Sequence, residues 1–296
     1  MSTPSAAEQR LRLRTELRRA RQAAGLTQRQ VAKKMEWSSS KLLRIESGEV
    51  GISVNDLRPL LAAYNITDRR LIDTLLDLAR GSRKMPYAEY RDVFSKEFLQ
   101  FLALEASASV CRYFNNLQLP RILQTEEYAR AIAESYVGGG LSELHERMLE
   151  AQLSRQDVLL GDEGPQVLVM LDEAVLHRQV GGRRVMRAQL LRIAEVCDHP
   201  RVTVGVIPFA QGAHPGMRGP FTLFEFAAEG MPDSLHLENP GGEPSGTTLP
   251  EETRPYLERF WQLEDLSIKQ DVGELVTRLA QRIDEGADDL AALLQE

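Results

Sequence analysis

The first 80 residues are built of short amphipathic segments separated by helix-capping residues, and this pattern limits the possible fold more than any other feature. Apolar residues recur every three or four positions from Leu13 to Ala24 and stop before Gly25, which suits the left-handed end of a helix. Four more helices are predicted after residues that can cap a helix N-terminus: Thr27, the serine run 38–40, Ser53 and Asp68. The pattern predicts an all-α bundle of five helices.

The third of these segments has one apolar side and one polar side. Leu42 and Ile45 are expected in the core, with Leu43 partly exposed, and we expect the helix to run to Ser47 and Gly48. Small or basic side chains occupy the opposite face: Ser39, Ser40, Lys41 and Arg44. The polar face of this helix is therefore the candidate binding surface of the bundle.

Charge divides the chain into two parts of opposite sign. Residues 1–84 carry 17 Lys and Arg against 9 Asp and Glu, whereas residues 85–296 carry 19 against 34, within a net charge of −7 for all 296 residues. A polar segment from Gly81 to Pro86 lies between the two parts. We therefore predict a basic domain at 1–84 and a larger acidic domain at 85–296. No apolar run approaches the length of a membrane span, so we expect a cytoplasmic protein without membrane contact.

The second and third segments resemble the helix-turn-helix of the Xre and phage-repressor family. The residues that carry the resemblance are Leu26-Thr27-Gln28, Val31-Ala32, Trp37-Ser38, Ser40-Lys41, Arg44-Ile45-Glu46 and Gly48. In such a fold the second motif helix lies in the major groove of DNA, with its first side chains against base edges. The resemblance also implies an internal ion pair between Arg21 and Glu46. The alternative is a basic helical bundle that binds protein, and the motif spacing favours DNA.

The resemblance implies a DNA-binding set of seven residues: Thr27, Gln28, Ser38, Ser39, Ser40, Lys41 and Arg44. Within this set, Ser39, Ser40 and Arg44 are expected to face base edges. Gln28 is expected to hold a phosphate, and Lys41 to add a second backbone or base contact.

The acidic part mixes predicted helices with short β-rich runs bounded by Gly and Pro. Helices are predicted around 94–105, 126–136 and 141–160, and strands at 110–114, 166–171, 202–207, 221–226 and 234–237. Together they predict an α+β domain with a small mixed or antiparallel sheet.

Residues 90–280 resemble an uncharacterised actinobacterial domain that typically follows an Xre-type helix-turn-helix in WhiJ-like regulators. The resemblance is carried by the runs 119–125, 127–130, 155–156, 171–176 and 206–209. Arg121 stands where that family usually has glycine. Such regulators are often encoded beside a small partner protein, in an arrangement likened to antitoxin and toxin. The resemblance therefore implies either a sensor domain or a partner-binding domain.

The acidic part contains one candidate ligand pocket. The turn from Leu119 to Gln124 supplies apolar side chains together with polar groups, which is the mixture that orients small ligands. The candidate ligand-binding residues are Arg121, Gln124, Tyr128, Phe209, His214 and Phe221. The alternative is a rigid connection in which Tyr128 packs in the core and Gln124 bonds backbone groups.

Catalysis and metal binding find little support in the sequence. Asp172, Glu173 and His177 are close enough along the chain to act as acid and base or as metal ligands, but helix capping by Asp172 explains them without chemistry. Cys111 and Cys197 lack metal-ligand spacing and are expected to be buried. We expect no catalytic residues, metal or cofactor, and an enzyme acting on a small substrate is the least favoured alternative.

A C-terminal helix is predicted from a capping-box pattern at Ser267 and Gln270, with an apolar face from Ile268 to Ile283. This face either packs on its own domain or forms a homodimer, which binding to an inverted-repeat operator on double-stranded DNA would require. The sequence thus predicts a DNA-binding transcription regulator whose second domain senses a small molecule or binds a partner. The alternative is an antitoxin-like autoregulator of a small basic protein.

Overall fold

The computed structural model describes residues 6–46, 50–81, 87–138, 140–161, 164–227, 231–238 and 244–285. Two compact units divide the chain: residues 1–108 with 226–233, and residues 109–225 with 234–296. The predicted boundary at residue 84 stays a prediction, because residues 82–86 lie outside the described part, as do Ser47 and Gly48. Along the described helices, none combines the length and the apolar character that crossing a bilayer requires.

The first unit begins with the predicted bundle of five helices. They are α1 (Ala6–Ala23), α2 (Gln28–Lys34), α3 (Ser39–Glu46), α4 (Val54–Ala63) and α5 (Arg69–Gly81); a short 3-10 turn at Ala88–Tyr90 and α6 (Lys96–Glu105) follow. Gly25 has φ = 67° in the turn after α1, where glycine adopts a left-handed conformation without strain. The core joins the apolar faces of the helices through buried side chains that include Leu17, Val31, Leu42, Ile45, Leu57, Leu60 and Leu75.

The second unit alternates helices and strands. Its elements are β1 (Val110–Asn115), α7 (Glu126–Val137), α8 (Glu143–Leu159), β2 (Gln166–Asp172), α9 (Ala174–His177), α10 (Arg183–Cys197), β3 (Val202–Ile207), β4 (Phe221–Glu225), β5 (Ser234–Glu238), β6 (Pro244–Thr247), α11 (Pro250–Leu266) and α12 (Val272–Glu285). The five predicted strands are all present within a residue or so of their expected bounds. β6, α10 and α11 are additional to the predicted elements.

The six strands form one mixed sheet in the order β3-β2-β1-β4-β5-β6. β1, β2 and β3 are parallel, and helices connect them, whereas β4, β5 and β6 join by antiparallel pairing. Residues 167–171 of β2 are all buried, as expected for a strand covered on both faces. On one face, Phe260 and Leu263 of α11 pack against Phe114, Met170 and Phe221. The predicted α+β class with a mixed sheet is confirmed.

The C-terminal region differs from its prediction in two respects. Ser267 ends α11 instead of capping α12: its hydroxyl donates to the Glu264 carbonyl oxygen at 2.9 Å and contacts Met170 Sδ. Ile268 pairs with Val206 of β3 in a short antiparallel bridge, and α12 begins only at Val272. The predicted capping box is therefore wrong, because tertiary contacts of Ser267 and Ile268 hold this segment in an extended conformation.

Most of the apolar face of α12 packs within its own unit. Val272, Val276, Ala280 and Ile283 are buried, and α12 packs along α10. Leu275 and Leu279 are only half-buried, and Ile268, at the start of the predicted face, is 45% exposed. The alternative of packing on its own domain thus accounts for most of the face that was a candidate dimer contact.

Candidate nucleic-acid interface

The start of α2 is fixed by a reciprocal pair of hydrogen bonds. The Thr27 hydroxyl accepts from the Gln30 backbone N–H at 3.3 Å, and the Thr27 backbone N–H donates to Gln30 Oε1 at 2.8 Å. This capping box satisfies two donors that the first turn of a helix leaves unpaired. Thr27, one of the predicted DNA-binding residues, therefore has a structural role at the helix start.

Glu46 joins three of the helices. Its carboxylate accepts from Arg21 Nε at 2.6 Å, from Arg21 Nη2 at 3.0 Å and from Gln28 Nε2 at 2.8 Å. Arg21 Nη1 also donates to the Leu26 carbonyl oxygen at 2.8 Å. The side chain of Glu46 is only 3% exposed and that of Arg21 is 12% exposed. The ion pair that the resemblance implies is present, and with the bond from Gln28 it links α1, α2 and α3.

Tyr64 lies beside this cluster in the core of the bundle. It is buried at the end of α4, and burial together with the negative charge of Glu46 raises the pKa of its phenol. The cluster therefore sits in a poorly hydrated environment, where an ion pair is held more rigidly than at the surface.

The polar face of α3 is open to solvent. Ser40 and Arg44 are exposed, and Leu43 is 52% exposed, whereas Leu42 and Ile45 are buried. The side chain of Ser39 lies outside the described part of the structure. Two of the three side chains expected at base edges thus occupy an accessible helix face.

Three of the other predicted residues make contacts within the bundle. Ser38 accepts from the Lys41 backbone N–H at 3.1 Å and so caps α3. Lys41 Nζ lies 3.2 Å from Asp56 Oδ2 and 4.0 Å from the centre of the Trp37 ring. Gln28 donates to Glu46, as described above. Their contacts with DNA stay predictions, and their intramolecular contacts limit the donors that remain.

A groove of about 640 Å³ runs along the junction of α1, α2 and α3. Its lining includes Arg18 and Gln22 from α1, Thr27 and Gln28 from the start of α2, and Leu43 from α3. Further along α1, burial together with the neighbouring charges of Arg10 and Arg18 lowers the pKa of Arg14 to about 10. Positive charge is therefore dense on α1.

Gln124 and Tyr128, two of the candidate ligand residues after β1, use their polar groups within the protein. Gln124 Nε2 donates to the Leu119 carbonyl oxygen at 2.7 Å, and Gln124 Oε1 accepts from Gln152 Nε2 at 2.9 Å. Tyr128 is fully buried, and its hydroxyl accepts from the Leu119 backbone N–H at 3.3 Å. This geometry matches the alternative of a rigid connection.

Two glutamines that the sequence left without a role complete this turn. Gln156 Nε2 donates to the carbonyl oxygens of Arg121 and Gln124, at 3.0 and 2.8 Å. Gln189 Nε2 donates to the Leu123 carbonyl oxygen at 2.7 Å, and its Oε1 accepts from the Thr125 N–H at 2.7 Å. Gln189 shares a buried helix face with Met186 and Ile193. A polar residue on an apolar helix face is the sequence signal that could have indicated a buried hydrogen-bonding role for Gln189.

Two of the remaining candidate ligand residues, Phe209 and His214, lie at the carboxyl ends of β3 and β2, whereas the half-buried Arg121 lies in the 3-10 turn Arg121–Leu123 after β1. His214 Nε2 lies 3.0 Å from Asp172 Oδ2, and His214 Nδ1 accepts from the Gly216 N–H at 3.2 Å. Asp172 Oδ1 accepts from the Ala174 N–H at 2.9 Å, so Asp172 bonds the first turn of α9, although Glu173 is the N-cap residue of that helix. Both ring nitrogens of His214 are thus used within the protein, and the pair holds the loop before β4.

An exposed aromatic ring lies beside this pair. Phe209 is 60% exposed, its ring stacks on His177 at a centroid distance of 5.6 Å, and its N–H donates to Glu173 Oε2 at 2.6 Å. Phe221, by contrast, is buried against Phe114. Within the described residues, no three His, Cys, Asp or Glu side chains are grouped so that they could hold a metal ion.

Comparison with known families assigns both parts of the chain. A profile described as a helix-turn-helix domain matches residues 12–75, and one described as a domain of unknown function (DUF5753) matches residues 98–272. No curated protein and no solved structure matches the chain. The first match supports a DNA-binding regulator. Because the second match covers more than half of the chain, the protein belongs to the DUF5753 family, with a helix-turn-helix domain before it.

Proposed function

We propose that the protein is a sequence-specific transcription regulator of the Xre type, in which α3 reads bases in the major groove of DNA. The observation that carries this proposal is the arrangement around Glu46. Its hydrogen bonds to Arg21 and Gln28 hold α2 against α3, while Ser40 and Arg44 stay exposed on the far side of α3. A helix presented in this way suits base-edge contact, because Arg can donate two hydrogen bonds to a guanine.

Phosphate contacts would come from the start of α2 and from Lys41. The amide of Gln28 has two N–H groups, and the one that bonds Glu46 leaves the second for a phosphate oxygen. The Lys41 ammonium has three donors and bonds Asp56 with its side chain still 39% exposed. The excess of basic over acidic residues in 1–84 supports attraction to DNA at longer range.

A single α3 contacts too few base pairs for specificity, so we propose a homodimer on an inverted repeat. The two half-sites would lie about one helical turn, roughly 34 Å, apart. Because α10 packs against most of the apolar face of α12, we propose that the dimer contact uses a different surface.

Selection of bound duplexes from a random DNA library tests the proposal. The enriched sequences should form an inverted repeat, and the purified chain should bind them far more tightly than a scrambled duplex. Arg44→Ala should weaken binding to the selected duplex about 10- to 100-fold. Arg80→Ala, which removes an equal charge from an exposed pair with Asp77 on α5, is the matched control. Failure to enrich any sequence would overturn the proposal.

For the DUF5753 domain we propose a regulatory role of the WhiJ-like kind, in which it binds an effector or a partner protein. The internally bonded turn at Leu119–Gln124 disfavours a ligand site there, and the exposed Phe209 favours the carboxyl end of β3. The second candidate is an antitoxin-like autoregulator. The excess of acidic residues in 85–296 favours a small basic protein as its partner.

Native mass spectrometry of the purified chain distinguishes these roles. A bound small molecule would support the effector role, and a bound small basic protein would support the antitoxin-like role. In either case Phe209→Ala should reduce the bound fraction, whereas Trp261→Ala, a change at an exposed aromatic on α11, should not. Loss of binding with Trp261→Ala alone would place the site elsewhere.

A further inference from the structure

Leu43 stands out on the exposed face of α3. Its side chain is 52% exposed, although it lies between the buried Leu42 and the exposed Arg44 in a helix of eight residues. The packing of α3 is supplied by Leu42 and Ile45, both of which join the core of the bundle. Leu43 is therefore not one of the side chains that build the core of the bundle.

Leu43 lies near the side chains proposed to contact bases and near the segment proposed to contact phosphate. On a helix, residues three or four apart share a face, so Leu43 lies beside Ser40 and next to Arg44. It also lines the groove that Thr27 and Gln28 border at the start of α2. Leu43 thus lies between the base-facing side of α3 and the segment proposed to contact phosphate.

We propose that Leu43 contacts the 5-methyl group of a thymine, so that each half-site contains a thymine next to the base pair that Arg44 contacts. This inference rests on the proposed DNA-binding function. Thymine is the one standard base with an apolar group in the major groove, and apolar side chains recognise it by burying that methyl. The methyl lies towards the backbone edge of the groove, which matches the location of Leu43 beside Thr27 and Gln28 at the start of α2, the segment proposed to contact phosphate.

The chemistry predicts a modest and specific effect. Burial of one methyl group against an aliphatic side chain corresponds to roughly fourfold in affinity. Uracil pairs as thymine does and differs only in lacking this methyl. Replacement of the contacted thymine by uracil should therefore weaken binding by the wild-type chain about fourfold per half-site.

The experiment combines single thymine-to-uracil changes in the selected duplex with variants of the full chain, followed by fluorescence anisotropy. Wild type should lose affinity at one thymine per half-site, Leu43→Ala should bind the thymine and uracil duplexes equally, and Leu43→Met should keep the preference. Arg44→Ala, the control, should bind more weakly but keep the same thymine-to-uracil ratio. Because Leu43 is half exposed and Ala favours helix, Leu43→Ala is expected to fold, and its thermal unfolding should match wild type.

The outcomes separate the inference from the function on which it rests. If a specific duplex is obtained but no uracil change weakens binding, the role of Leu43 is wrong and the regulator proposal stands. If Leu43→Ala keeps the preference for thymine, another side chain contacts the methyl and the inference is also overturned. If the chain shows no sequence preference in DNA, both fail.

Discussion

Replacing Glu46 should destabilise the helix-turn-helix more than any exposed charge change. The carboxylate accepts three hydrogen bonds, two from Arg21 and one from Gln28, and both members of the ion pair are largely buried. Removal of one partner from a buried pair leaves the other charge without compensation and costs roughly 3–5 kcal/mol. Because Arg21 retains 12% exposure, we expect about 3 kcal/mol for Glu46→Gln.

Urea denaturation followed by tryptophan fluorescence measures this cost in the full chain. Trp37 packs against the core of the bundle, while Trp261 is half exposed on α11. In a Trp261→Phe background, the signal therefore reports the unfolding of the first unit alone. Asp77→Ala, which breaks an exposed pair with Arg80, is the control and should change the free energy of unfolding by less than about 1 kcal/mol.

A double-mutant cycle decides whether the contact is direct. Arg21→Met and Glu46→Met together should cost less than the sum of the two single changes, by about 2 kcal/mol, because the double variant leaves no buried charge unpaired. Additive losses would refute the reasoning, as would a loss for Glu46→Gln no larger than that for Asp77→Ala.

Three further changes test the second unit. Gly216→Ala would place a methyl group into the ring of Phe114 and should lower the free energy of unfolding by about 1–3 kcal/mol. Gly140→Ala is the control, because its added methyl group meets no neighbour, and equal stability of the two variants would contradict the packing at Gly216. Gln189→Leu should lower the free energy of unfolding by about 3 kcal/mol in the same denaturation assay, because it leaves the Leu123 carbonyl and the Thr125 N–H without their hydrogen-bond partner. An unchanged midpoint would mean that these two groups find other partners. Cys111 is buried as expected, but Cys197 is only partly buried. Burial and the charge of Asp198 raise the pKa of Cys197 to about 11, so labelling of the Cys197 thiol at pH 8 in a Cys111→Ala background should be much slower in the native chain than in urea, and equal rates would contradict this.

Local patterns predicted most of the elements, because helix caps and apolar periodicity act over a few residues. Thr27 caps α2 and Leu42 is buried, as their spacing indicated. The wrong prediction of a capping box at Ser267 has a physical cause. A serine followed three residues later by Gln270 fits that pattern, but the contact of Ser267 with Met170 and the pairing of Ile268 with Val206 hold the segment in an extended conformation. β6 was missed because its sequence lacks apolar alternation and is held by pairing with β5.

The candidate sites depend on contacts that no local pattern contains. The turn at Leu119–Gln124 has the composition of a ligand pocket, yet Gln156 and Gln189, far along the chain, satisfy its carbonyl groups. The Arg21 and Glu46 pair, which the structure contains, was implied by the resemblance to the Xre helix-turn-helix, and the DNA contacts of the motif residues stay predictions. Only the structure shows which hydrogen-bond donors of Gln28 and Lys41 are already used within the protein, and therefore which remain for DNA.

The ratio of dissociation constants for a selected and a scrambled duplex, measured with wild type and Arg44→Ala at one fixed salt concentration, shows whether α3 reads DNA sequence. We expect wild type to prefer the selected duplex by about 1,000-fold or more. Arg44→Ala should lower this ratio, while its binding to the scrambled duplex changes much less. Equal affinity of wild type for both duplexes, or an Arg44→Ala variant with an undiminished ratio, would contradict the assignment of α3 as the helix that reads DNA sequence.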